Sequence, residues 1–158
     1  STDTSQTIDA VKHLINSIDK AYDAVVILQP TSPFRNFKHI DDALSHFENN
    51  KEADSLVSVI ELPHNYEPFS LMTKNDKGFL ENFIEQKKLK LRRQDKDTYF
   101  ARNGAAIYIT KTNLLTEGLL VGNILPFLMS FEESVDIDDF NDLRLAEIFL
   151  ESNYRGNV

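Results

Sequence analysis

Residues 23–28, Asp-Ala-Val-Val-Ile-Leu, form a short run of branched apolar side chains that the next seven, Gln-Pro-Thr-Ser-Pro-Phe-Arg, cut off with two prolines. A run this short and this rich in branched residues reads as a strand buried on both faces. Pro30 and Pro33 have no amide to offer a ladder, so the chain must leave the sheet there. Thr31 and Ser32 then place hydroxyls just beyond the carboxyl end of a strand, where open α/β sheets hold their ligands. An ordinary proline-bounded turn would carry the same residues. Ile8, Val11, Leu14, Ile15 and Ile18 recur at helical spacing before the strand, predicting a helix over 4–20. Ile40, Ala43, Leu44 and Phe47 predict a second helix after it, ending near Asn49 and Asn50, and Ser55-Leu-Val-Ser-Val-Ile60 a second strand. Helix, strand, helix, strand is the rhythm of a parallel α/β unit.

The rhythm loosens after Glu61. Residues 62–68 are irregular, 78–83 suit an edge strand, and Ala105-Ala-Ile-Tyr-Ile-Thr110 is a strand entered through Asn103 and Gly104. A short helix over 112–117, a last strand over 126–131 and a terminal helix bearing Phe140, Leu143, Ala146 and Leu150 complete the reading, with Asp138 or Asp139 as its N-cap. At 158 residues and 41% hydrophobic content the chain suits one folded domain. The absence of cysteine excludes disulfides and thiol chemistry from this sequence. No apolar run approaches the length of a membrane span. A net charge of −8 makes generic nucleic-acid binding unfavourable, and no nucleic-acid or membrane partner is expected. His13, His39, His46 and His64 show no ligand spacing and read as structural or exposed.

Charge is unevenly spread. Lys87, Lys88, Lys90, Arg92, Arg93 and Lys96 crowd one stretch, while 131–151 carries eight carboxylates against Arg144. Each cluster reads first as a solvated face. Within the acidic one, Asp136 and Asp138 stand two apart just before the terminal helix. In extended chain such residues point to the same side, so both carboxylates could face one hard cation such as Mg²⁺. From spacing alone, capping of the helix and interaction with its dipole is the reading to prefer. Arg93 and Arg102 flank a segment entering a strand, and their guanidinium groups suit carboxylate or phosphate oxygens. Tyr108 is most simply a strand residue whose hydroxyl finds a polar partner.

Five blocks in order, Leu28-Gln-Pro-Thr-Ser-Pro-Phe-Arg35, Ser55-Leu-Val-Ser-Val59, Arg93-Gln94, Asn103-Gly-Ala-Ala-Ile-Tyr-Ile109 and Ser134-Val-Asp-Ile-Asp138, resemble the acylneuraminate cytidylyltransferases, the CMP-sialic acid synthetase family. The resemblance runs from about Asp3 to Leu150. It implies a Rossmann-like α/β fold with a mainly parallel sheet between helices, in a cytoplasmic enzyme. The implied reaction joins CMP from CTP to the anomeric hydroxyl of a nonulosonic acid of sialic, legionaminic or pseudaminic type, releasing pyrophosphate. Asp136 and Asp138 match the family's pair for Mg²⁺ or another divalent cation. Gln29, Thr31 and Ser32 match the loop that contacts the sugar acid, and Asn103 and Tyr108 the block lining its pocket. Arg93 and Gln94 form the matched Arg-Gln pair. Arg93 and Arg102 are the catalytic candidates, as neutralisers of substrate charge, and Gln94 a substrate contact. An arm matching roughly residues 72–102 is expected to cross to a partner in a homodimer.

The departures carry expectations of their own. The family opens with a strand and a basic glycine-containing loop that cradles the CTP phosphates, and nothing here matches them. The chain therefore reads as the C-terminal two-thirds of the family's domain, its N-terminal strands missing. Alone it is expected to be inactive, and either to pair with the missing segment as a separate chain or to associate through an open sheet edge. Leu119 and Leu120 stand where sialic acid enzymes often carry a Phe-Phe pair. Two other readings remain: an Asp-x-Asp metal-dependent glycosyltransferase, which would release no pyrophosphate, and a non-catalytic dimerisation or regulatory module on the same fold.

Overall fold

The structure, a computed structural model, describes residues 7–63, 66–84 and 98–155. The chain divides into two compact units, one formed by the stretches up to Val59 and from Arg102 onward, the other by Ile60–Ala101.

Three helices flank the sheet strands in sequence: α1 (Thr7–Asn16), α2 (Phe37–Asn49) and α3 (Phe140–Arg155). The strands are β1 (Ala24–Ile27), β2 (Ser55–Glu61), β3 (Met72–Lys74), β4 (Leu80–Asn82), β5 (Phe100–Arg102), β6 (Tyr108–Lys111) and β7 (Ile124–Leu128). Five of them form one sheet in the order β1-β6-β2-β5, with β7 paired to β2. The class is α/β as expected, but the sheet is mixed. β2 and β7 pair in parallel, whereas β6 runs antiparallel to both β1 and β2. β1, β2 and β7 therefore point one way, with the reversed β6 inserted between the first two. Nothing in local periodicity encodes strand direction, which explains the difference from a mainly parallel expectation.

β2 supplies the centre. Ser55 to Val59 are all buried, and Leu56 is fully so. Leu56 packs with Ile107, Ile109 and Ala43 of α2, and Val26, Ile40, Leu44, Phe47, Leu125 and Phe127 close around them. The register aligns Leu56 with Ile109 and Ile109 with Val26, so these side chains share the face that α2 covers. α2 begins with a reciprocal cap: Asn36 Oδ1 accepts from His39 N at 3.1 Å, and Asn36 N donates to His39 Nδ1 at 3.3 Å. β1 departs from its expected double burial, since its four residues are only half-buried. It lies at the end of the strand order, with no neighbour beyond it among the described residues. The last strand starts at Ile124 rather than 126, and Pro126 sits within it opposite Val57. A proline is tolerated there because β7 pairs on one side only among the described residues.

Ser58 handles a break in the ladder. Its N–H donates to Ile107 O at 2.9 Å, while its carbonyl accepts from Asn103 N at 3.5 Å. Residues 104–106 are looped out between those two bonds, on the positive φ of Gly104 at 69°. Ser58 Oγ accepts the Ile107 N–H at 2.9 Å, replacing the missing carbonyl. The expected strand over 105–110 accordingly begins only at Tyr108. Ser55 secures a second loop in the same manner, its hydroxyl donating to Val121 O at 2.9 Å and accepting from Val121 N at 3.2 Å.

In the second unit, β3 and β4 form an antiparallel hairpin whose six residues are all exposed. Asn75 Oδ1 holds its turn by accepting from Lys77 N and Phe79 N. This hairpin lies within the span expected for an arm, while the basic stretch from Lys87 to Lys96 lies outside the described residues.

Replacing Ser58 with alanine would leave the fully buried Ile107 N–H without its acceptor. Chemical denaturation of Ser58→Ala should show a loss of about 1–3 kcal/mol, with the m-value unchanged.

Candidate functional site

Strand direction decides what meets at the upper end of this sheet. The carboxyl ends of β1 and β7 and the amino end of β6 fall together, because β6 is reversed. The loop 29–35, the segment 129–139 and the looped-out residues after Asn103 thus converge. Main-chain bonds stitch them: Gln29 N donates to Ala105 O at 3.0 Å, and Ile137 N donates to Thr31 O at 2.9 Å. Phe34 meets Phe149 of α3 edge-on at 6.4 Å, and Phe131 meets the same ring at 6.2 Å.

Gln29, Arg102, Gly104, Ala105 and Tyr108 line an open cleft of about 350 Å³. A neighbouring cleft of about 510 Å³ shares Arg102 and Tyr108 and adds Lys12, Glu117, Leu119 and Leu120. The Leu119 wall is fixed from behind, since Thr110 Oγ1 donates to Leu119 O. Three of the expected site residues, Gln29, Arg102 and Tyr108, therefore share one cavity. Arg102 ends β5 and is exposed, so its guanidinium is available to a solute.

The Asp136 carboxylate sits directly over Gly104. A Cβ on Gly104 would lie 2.1 Å from Asp136 Oδ2, so only glycine leaves room for the acid. Asp136 is half-buried, and its Oδ1 is shielded from solvent without a hydrogen-bond partner. A carboxylate oxygen held in that state is a ready acceptor for a cation or a donor. Asp138 is exposed, and the helix cap has gone to its neighbour instead. Asp139 Oδ1 accepts from Asn141 N and Asp142 N, and Asp142 Oδ2 accepts from Asp138 N and Asp139 N. The amides of Asp142 and Asn141 hold the Asp139 carboxyl below the usual range. Both members of the Asp-x-Asp pair are thereby left out of the cap. Among the described residues no third His, Cys, Asp or Glu completes a cluster with them. Mg²⁺ is commonly held by one or two carboxylates, with waters and substrate phosphates filling its shell, and Asp136 Oδ1 is an oxygen of the kind it takes.

The remaining expected residues behave differently. Ser32 is buried, with its hydroxyl unpartnered. Thr31 is half-buried and contributes its carbonyl to Ile137. Asn103 is also buried: its Nδ2 donates to Ser134 Oγ at 2.8 Å, and its Oδ1 has no partner. In this position it ties the acidic segment to the sheet. Arg93 and Gln94 lie outside the described residues.

Two contributors escaped the sequence reading. Arg35 is half-buried and donates from Nη1 to the carbonyls of Gln29 and Ala106. His39 Nε2 lies 3.1 Å from Glu133 Oε1, linking the start of α2 to the turn that leads into Asp136. Because His39 Nδ1 accepts the Asn36 N–H, Nε2 carries the proton toward Glu133. The Ser130 amide and then His39 pull the Glu133 carboxyl below its ordinary value. An arginine closing a proline-bounded loop was the only sequence signal for the first contact, and none pointed to the second.

Gly104→Ala tests the corner directly. The left-handed backbone alone costs about 1–2 kcal/mol, and the new methyl must also displace the Asp136 carboxylate. The variant should melt at lower temperature, and a crystal structure should show Asp136 turned away from residue 104.

No family model matches the chain. It is 30% identical over 158 residues to the N-acylneuraminate cytidylyltransferase of Escherichia coli O18:K1:H7, covering 99% of this chain and 36% of that protein. The enzyme of the same name from Streptococcus agalactiae serotype III is 29% identical over 143 residues, covering 90% of this chain and 33% of the relative. The chain thus spans about a third of the length of these curated relatives. Among solved structures, 4-diphosphocytidyl-2C-methyl-D-erythritol synthase from Anaerococcus prevotii superposes with a TM-score of 0.59 at 7% identity, over 94% of this chain and 68% of that one. A CMP:2-keto-3-deoxy-manno-octonic acid synthetase complexed with CTP gives 0.57 at 13% identity, over 94% and 70%. At those identities the structures establish a shared fold, the Rossmann-like fold of cytidylyltransferases, and the sequence matches supply the kinship. Over nearly its whole length this chain is homologous to a segment of the N-acylneuraminate cytidylyltransferases.

Proposed function

We propose that the complete protein transfers CMP from CTP to the anomeric hydroxyl of a nonulosonic acid. The observation that carries this reading is the Gly104–Asp136 corner, whose shielded, unpartnered Oδ1 lies beside the looped-out residues lining the cleft with Gln29, Arg102 and Tyr108. In the transfer, the sugar hydroxyl oxygen bonds to the α-phosphorus of CTP, the bond to the β-phosphate oxygen breaks, and pyrophosphate leaves. Asp136 and Asp138 would hold Mg²⁺ there, and the ion when bound would supply positive charge against the triphosphate. Arg102, exposed at the cleft, offers a forked donor to the sugar carboxylate or to phosphate oxygens. Gln29 and Tyr108, which line the same cleft, offer neutral hydrogen-bonding groups to sugar hydroxyls. By the sequence resemblance, Thr31, Ser32 and Gln94 would contact substrate, Arg93 would neutralise its charge, and the buried Asn103 would act from behind the pocket wall through Ser134. Leu119 and Leu120 make the adjoining wall aliphatic rather than aromatic, so the acyl substituent of a legionaminic- or pseudaminic-type acid is as suitable a guest as that of sialic acid.

The test is pyrophosphate release by the complete polypeptide with CTP, Mg²⁺ and each candidate acid. Release that depends on one of the acids is expected, and Asp136→Asn should lower kcat about 100-fold or more without unfolding the protein. Consumption of a preformed nucleotide-sugar with no pyrophosphate would favour the glycosyltransferase reading instead.

A homodimer is part of the same proposal. Met72, Phe79, Leu80 and Phe83 are each more than half exposed along the hairpin of the second unit, a surface that a partner would cover. Phe79→Asp combined with Leu80→Asp should convert a dimer to a monomer in light scattering coupled to size exclusion.

A further inference from the structure

We propose that Arg35 is a positioning residue for the substrate wall formed by Gln29 and Ala105, acting through the main chain rather than by touching substrate. The register that pairs Ile27 with Tyr108 carries Gln29 opposite Ala106. The β1–β6 ladder does not continue to that pair. Instead, the two carbonyl oxygens both accept from Arg35 Nη1, at 2.6 Å from Gln29 O and 3.0 Å from Ala106 O. The guanidinium group is thus a charged wedge in a strand end that has been prised open. Two carbonyl dipoles that would otherwise face each other share one cationic donor, the stronger class of hydrogen bond. The adjacent bond from Gln29 N to Ala105 O, at 3.0 Å, limits the opening from the other side. Between them the two links set the width of the mouth lined by Gln29, Arg102, Gly104, Ala105 and Tyr108.

The arginine reaches this place because its own segment turns back. Arg35 N donates to Ser32 O at 3.4 Å, closing the loop, and Phe34 is anchored on Phe149. Methionine fills comparable volume with no donor. Lysine restores a cation without the planar fork.

That the wall receives a sugar acid rests on the function proposed above; the wedge itself does not. Two measurements on the complete polypeptide separate them. Hydrogen exchange of Arg35→Met should accelerate at the Gln29 and Ile137 amides by about tenfold, leaving Leu56 and Val57 as protected as in the parent. In pyrophosphate-release assays the KM for the sugar acid should rise about tenfold, the KM for CTP should stay within roughly twofold, and Arg35→Lys should recover part of the loss. If Arg35→Met does not fold, Arg35→Lys carries the exchange test, with faster Gln29 exchange and unchanged Leu56 expected. Unaltered Gln29 exchange, or exchange that rises equally at Leu56, overturns the wedge. An equal rise in both KM values, or a fall in kcat alone, overturns its service to the sugar acid. If the parent protein releases no pyrophosphate with any acid, the functional reading fails, and the exchange result alone decides whether Arg35 holds the wall.

Discussion

The site depends on a hydroxyl in the most deeply buried strand of the sheet. A peptide amide sealed from water must find an acceptor, and looping out residues 104–106 deprives Ile107 of its ladder partner. Ser58 supplies that acceptor from within β2, fully enclosed, and so makes an interruption tolerable at the centre of a hydrophobic layer. Without it the chain would be driven to straighten into regular pairing, and the glycine, the acid above it and the cleft wall would have nowhere to stand. Ser55, three residues earlier, secures the opposite end of the same strand to Val121. Two serines in the buried stretch they share with Leu56, Val57 and Val59 are thus structural necessities rather than lapses in an apolar pattern.

The direction of β6 then converts three distant stretches of sequence into neighbours. A reversed strand between two that run together brings its start to their ends, so residues near 30, 105 and 136 meet without any long excursion. The arrangement separates charge as well. Arg102 faces the cleft from one side, Asp136 holds its corner from another, and the cap of α3 is occupied by Asp139 and Asp142. In a protein of net charge −8, the exposed Arg102 is the positive group that this cleft offers to an anion.

Much of this was legible beforehand. The strand ending at Gln29, the helix from residue 37, β2 and the terminal helix follow from periodicity and proline, and each stands within a few residues of its expected place. What could not be read was anything set by pairing between remote segments: the reversal of β6, the edge position of β1, and the delayed start of β6 at Tyr108. At the site, Gln29, Arg102 and Tyr108 line one cleft with Gly104, over which Asp136 stands, a grouping that spacing along the chain does not encode. Asn103 differs in kind. An amide named for a pocket wall turns out to be interior, its nitrogen spent on Ser134. Arg35 stands at the end of a matched block, but its role could not be read there, because its partners are carbonyl oxygens, which every residue possesses. His39 was set aside for want of metal-ligand spacing, although its work is to cap α2 and hold Glu133.

The frame around the cleft is held by Gln29 N on Ala105 O, by Ile137 N on Thr31 O, and by the side chains of Arg35, Ser55, Asn103 and Thr110. The side chains of residues 29, 108, 119 and 120 are correspondingly free of any duty to the frame that presents them. Substitution at those positions can change which guest fits while the scaffold around it stays put. A lineage could therefore change what this cleft holds by single replacements, without passing through an unstable ancestor.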